Sequence, residues 1–193
     1  MATGVSWAEH FYSYFLGRDI CYIFVGGLLI SIVEYAYFGK IYFPEGLSLE
    51  VGGFLMISYL VGLSIVAIAN IIHISPKTEI PDGYSFFSFD HTILNTYNQR
   101  VLNIIERMTF MSNIGAYVGL SSLLGAAFMI ILNLIRLFLK IGDTSFEYKL
   151  LVVSLVIFGI IMIYYSNTTT KEINQARKEL AAEIAIIKKK SNL

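Results

Sequence analysis

The chain has 193 residues, of which 56% are hydrophobic and only 15% charged, with 14 basic side chains matched by 14 acidic ones. A zero net charge sets up no field to gather a polyanion, so direct nucleic-acid binding is not expected. The single cysteine, Cys21, excludes an intramolecular disulfide and a multi-cysteine metal site.

The apolar residues gather into four runs, 20–38, 51–74, 108–135 and 150–166. The last three contain no Asp, Glu, Lys or Arg. Each run approaches or exceeds the ~20 residues that a helix needs to cross a bilayer core. Backbone amides in hydrocarbon must be satisfied within their own segment, so these runs are expected to be helices. The fold class that follows is an all-α membrane protein with four transmembrane helices and cytoplasmic helical extensions of the third and fourth. Three parts are expected: an interfacial segment 1–17, a four-helix bundle 18–166 that includes a cytoplasmic loop 75–107, and a cytoplasmic amphipathic helix 167–193.

In chain order, Trp7, Phe11, Tyr14 and Phe15 recur at helical spacing. They suit either an anchor in the headgroup layer or an N-terminal extension of the first span carrying its aromatic belt. Glu9, Arg18 and Asp19 flank this stretch and no small-residue cleavage pattern follows, so a cleavable signal peptide is not expected. Within the first span Glu34 is the informative charge, because a carboxylate in a membrane is costly unless neutralised, paired or watered. Arg136 stands at a matching depth in the third span. The expectation is an ion pair or a watered vestibule holding both, with Asn133 one turn away joining it. Glu34 snorkelling beside Tyr35 and Tyr37 is the structural alternative.

The second span offers Gly53, Ser58 and Gly62 as a close-packing face, and at its inner end Asn70 and His73 sit one turn apart, within reach of Arg18 or Asp19. Ser75-Pro76 and Ile80-Pro81-Asp82-Gly83 then signal turns. Tyr84, Phe86, Phe87 and Phe89 follow as an aromatic cluster, read either as a partner surface or as packing against the chain's own tail or the lipid. From about Thr92 a helical pattern is expected to run unbroken into the third span. That span carries Gly115, Gly119, Ser122 and Ala126, small residues that let two helices approach closely, within a subunit or between copies. After the fourth span, Ile173, Leu180, Ile184 and Ile187 form a heptad seam, with Arg177 where another apolar residue belongs. Two heptads do not hold a coiled coil alone, so the seam needs a partner: the loop helix, a second copy, or another protein.

Ten basic residues lie on the side of the termini and four on the other, so both termini are expected in the cytoplasm. Catalysis is not expected. The three histidines lack metal-helix spacing, Asp90-His91 has no oriented nucleophile, and no phosphate-binding loop or nucleophile elbow is present. No cofactor or metal is expected.

Two stretches carry a family likeness: Phe15-Leu-Gly-Arg18-Asp19-Ile-Cys-Tyr-Ile-Phe-Val-Gly26-Gly27, and Asn98-Gln-Arg100-Val-Leu-Asn-Ile-Ile-Glu106-Arg107 before a Gly/Ser-rich span. With the length and span count, the chain resembles KwaA, the membrane subunit of the Kiwa antiphage defence system. The resemblance implies a homo-oligomer of the bacterial inner membrane, tetrameric in that family, that senses envelope perturbation and holds a cytoplasmic DNA-binding effector, KwaB. It carries over no active-site residues. The expected function is therefore a membrane sensor and scaffold whose partner surface comprises the residues of the aromatic cluster and the seam. The alternative is an oligomeric ion channel or pore with Glu34 and Arg136 at its mouth.

Overall fold

The protein, described by a computed structural model, is defined at residues 6–42, 49–74, 77–97, 99–139 and 145–191. Among the described residues it is helical with no strand: α1 Ser6–Phe38, α2 Leu49–Ile71, α3 Phe86–Thr96, α4 Gln99–Phe138 and α5 Phe146–Ser191. Four of these helices, all but α3, are long and apolar enough to cross a membrane, the pattern of a multi-pass membrane protein. At ~1.5 Å per residue, the 40 residues of α4 and the 46 of α5 each reach about twice the ~30 Å of a bilayer's hydrocarbon core.

Residues 6–17 are the first turns of α1, continuous with the span rather than a separate helix. The side chains of Trp7, Phe11, Tyr14 and Phe15 lie outside the described residues. The close of α2 is well defined. The Ile74 amide reaches back to the Ala69 carbonyl at 3.0 Å and the His73 amide to that of Asn70 at 3.4 Å. This is a Schellman cap, which needs a left-handed residue. His73 takes that role at φ 56° in place of the usual glycine. The expected turn at Ser75-Pro76 lies outside the described residues, whereas Gly83 turns the chain at φ 85°.

The helix expected from Thr92 onward begins earlier and is not unbroken. Ser85 caps α3, its hydroxyl accepting from the Ser88 amide while the Ser88 hydroxyl accepts from the Ser85 amide. This reciprocal capping box starts the helix within the aromatic cluster. Tyr97 then leaves helical geometry at φ −110° and ψ −97°, and α4 begins at Gln99. By contrast, the polar run 167–171 does not interrupt α5.

The chain divides into two compact units. Unit 1 comprises Met1–Ile74 and Tyr117–Met162; unit 2 comprises Ser75–Ala116 and Ile163–Leu193. Both α4 and α5 therefore contribute to each. In unit 1, Ile32 and Ala36 of α1, Met129 of α4 and Tyr148 of α5 form a buried core. The apolar stretch of α4 is 44% buried, that of α5 only 11%, so α4 is a hub and α5 leaves most of its apolar surface outward.

Candidate functional site

Unit 2 is built around Phe89 and Ile93 of α3, Leu102 and Ile105 of α4, and Ile173 and Ile184 of α5. Tyr84 packs edge-on against Phe89, with ring centroids 5.3 Å apart. The heptad seam thus finds its partner within the chain. Phe89, Ile173 and Ile184 are at most 2% exposed, and Arg177 only 3%. This corrects their placement on an open partner surface, since helices α3 and α4 already cover them. Leu180 and Tyr84 pack at the edge of the same core, while Ile187 stays 47% exposed. The side chains of Phe86 and Phe87 lie outside the described residues.

Arg177 enters this apolar seam as a charge. Burying a guanidinium costs several kcal/mol unless opposite charge meets it, and here Asp90 of α3 and Glu106 of α4 supply that charge. Each of the three helices of unit 2 therefore contributes one member of a charge cluster in which Arg177 is buried and Asp90 and Glu106 are partly buried. Burial pushes the Asp90 carboxyl above its ordinary range; Arg177 draws it down again and Glu106 adds to the rise. The misplaced Arg177 in the heptad was the sequence signal for such a site. Asp90 and Glu106 could not be read as its partners, because they are distant in the chain and on different helices.

Polar bonds tie the rest of unit 2 together. Ser112 of α4 donates to the Ser166 carbonyl at 2.8 Å and shares a 2.6 Å bond with the Thr170 hydroxyl, all three residues being buried. Tyr97, at the α3–α4 break, donates to Glu183 at 2.5 Å, and this bond raises the phenol above its usual range. Before α3, Asn174 and Lys178 of α5 grip the segment around Glu79. None of these pairings was visible in the sequence.

In unit 1 Arg136 reaches the end of α1 but bonds its backbone rather than the Glu34 carboxylate. The Arg136 guanidinium donates to the carbonyls of Ala36 and Tyr37, at 3.0 and 3.4 Å. These are carbonyls at the end of α1, which have no partner in the next turn and attract a cation. Glu34 instead accepts from the Tyr42 amide at 3.3 Å, where the chain folds back after α1. Asn133 does not join them; its side-chain oxygen is buried without a hydrogen-bond partner. Arg18 pairs with its neighbour Asp19 at 3.7 Å, while Asn70 and His73 are exposed.

The small-residue faces are used within the chain. A side chain at Gly62 would strike the Tyr22 backbone, and one at Gly26 would come within 2.6 Å of the Gly62 amide nitrogen. Helices α1 and α2 therefore cross backbone to backbone, with buried Ser58 beside the crossing. Gly53 takes no part, since among the described residues nothing lies within 4 Å of where its side chain would stand. On α4, Gly119 meets Gly159 of α5, whose added side chain would lie 2.9 Å from the Gly119 carbonyl oxygen. Gly115, Ser122 and Ala126 are buried as well. Ser121 donates to the Val25 carbonyl of α1 at 3.0 Å, and Tyr148 to the Met129 carbonyl at 2.7 Å.

This arrangement defines a helical chain with four membrane-length helices, two of which also build a second unit with a buried arginine in a charge cluster. No known protein family, curated protein or solved structure matches it.

Proposed function

We propose that the protein is a membrane-embedded sensor and scaffold that couples the state of the bilayer to an effector bound at unit 2. The observation that carries this reading is the sharing of α4 and α5: each runs without interruption from the apolar helices of unit 1 into unit 2. A continuous helix transmits tilt or rotation along its length more directly than a loop does. The Arg177 cluster supports the same reading. A buried charge whose partners come from two other helices tolerates only arrangements that keep all three in place, which favours two discrete states over gradual deformation. On the resemblance noted above, the sensor would be a homo-oligomer of the bacterial inner membrane, its termini cytoplasmic and its effector KwaB-like.

The test reconstitutes the full chain in vesicles and measures amide exchange in residues 163–191 before and after osmotic swelling. The proposal expects exchange in this segment to change at least several-fold under tension. Unchanged exchange, with or without ion conductance in planar bilayers, would sink it; conductance that depends on Glu34 would point to a pore.

A further inference from the structure

The segment between α2 and α3 is held to α5 in the way that helical scaffolds hold extended peptides. Asn174 reads the backbone at two points: its side-chain oxygen accepts from the Glu79 amide at 2.9 Å, and its amide nitrogen donates to the Lys77 carbonyl at 3.4 Å. One turn on, Lys178 meets the Glu79 carboxylate at 2.8 Å. A side-chain amide that bonds the N–H of one residue and the C=O two before it recognises extended backbone of any sequence, and the neighbouring cation adds a preference for an acidic side chain.

The strap itself is lightly attached. Glu79 and Lys178 keep 58% and 64% of their side chains exposed, so their ion pair exchanges readily with solvent or another carboxylate. Ile80 is 40% exposed, and Pro81 is the strap's buried residue. Beyond Lys178 the same side of α5 continues through exposed Ala182, Ala185 and Lys189. Those small side chains leave the helix backbone approachable, and the lysine repeats the cationic end of the gripped stretch.

We propose that this side of α5 is a docking site for an extended acidic peptide, and that the strap Lys77–Asp82 is its resident, displaceable occupant. The occupant deepens the scaffold reading by giving its effector a chemistry: a segment with a carboxylate that can replace Glu79 and run on toward Lys189. A tethered occupant competes at an effective concentration of order millimolar. Free peptide therefore binds the native chain weakly, and loosening the strap exposes the site.

The experiment uses the full chain in lipid nanodiscs and a fluorescein-labelled peptide copying residues 77–84, read by anisotropy. Glu79→Lys in the chain is expected to tighten peptide binding at least 10-fold, and Glu79→Gln by less. In either background Asn174→Ala should remove the gain. A peptide with its glutamate changed to lysine should bind only to a chain carrying Lys178→Glu, a charge swap that misfolding cannot mimic. Binding indifferent to Asn174 and Lys178, no gain from either Glu79 variant, or binding equal to that of empty nanodiscs would each overturn the proposal. None of these results depends on bilayer tension, so the docking site and the sensor reading can fail separately.

Discussion

Removing the Arg177 charge while keeping its bulk tests the structure most directly. Methionine retains the unbranched stem that lies in the seam, so Arg177→Met takes away the cation and little of the packing. Asp90 then loses the cation that draws its carboxyl down and keeps the like charge of Glu106, which pushes it up. Breaking a buried pair from one side costs ~3–5 kcal/mol. Asp90 is only partly buried and keeps some water, which argues for the low end, about 3 kcal/mol. Amide exchange through opening of unit 2 should then accelerate roughly 150-fold across residues 173–187, at ~1.4 kcal/mol per tenfold. The triple replacement Arg177→Met, Asp90→Asn, Glu106→Gln removes the stranded charges too, and should bring exchange back to within about tenfold of native or slower. Exchange mass spectrometry on the full chain in nanodiscs reads both. An Arg177→Met protein exchanging at the native rate would refute the argument, for it would mean that water already solvates these charges.

The remaining predictions use the same preparation. Because the Asp90 pKa is raised above its ordinary 3.8 in the folded chain, folded protein holds the proton more tightly than unfolded. The stabilisation is complete below the unfolded value and lost as pH rises through the folded one. Acidification from neutral toward pH 4 should therefore slow exchange in unit 2 relative to an Asp90→Asn chain, and equal slopes for the two would refute the assignment. Gly62→Ala forces a methyl against the Tyr22 backbone and should destabilise unit 1 by ~1–3 kcal/mol. Gly53→Ala meets nothing within 4 Å and should be neutral or stabilising by up to ~1 kcal/mol; thermal unfolding in detergent separates the two. His73→Gly relieves a left-handed residue at the α2 cap and should stabilise by about 1 kcal/mol, seen as slower exchange of the Ile74 amide.

How much of this was legible beforehand varied with the physics involved. The four apolar helices were legible because hydrocarbon leaves a backbone no other partner, so run length alone determines them. That Arg136 and Glu34 lie at similar levels was legible, since rise per residue is fixed in a helix, and Arg136 reaches the carbonyls two and three residues beyond Glu34. Their pairing was not legible. The carbonyl ends of α1 compete for the same guanidinium, and only the positions of Ala36 and Tyr37 show that they prevail.

The seam at Ile173–Ile187 illustrates the same division. Heptad spacing established that it must be covered and marked Arg177 as out of place. It was silent on whether the cover was a second protein, another copy or the chain's own loop. That choice depended on Ser85 and Ser88 capping a helix in the aromatic cluster, which carries Phe89 and Asp90 to α5. By itself the sequence determined the four membrane-length helices, because hydrophobicity and periodicity act locally. The tertiary structure alone decided which helix faces meet, because glycine contacts, buried charges, carbonyl caps and side-chain hydrogen bonds join residues from 19 to 100 positions apart.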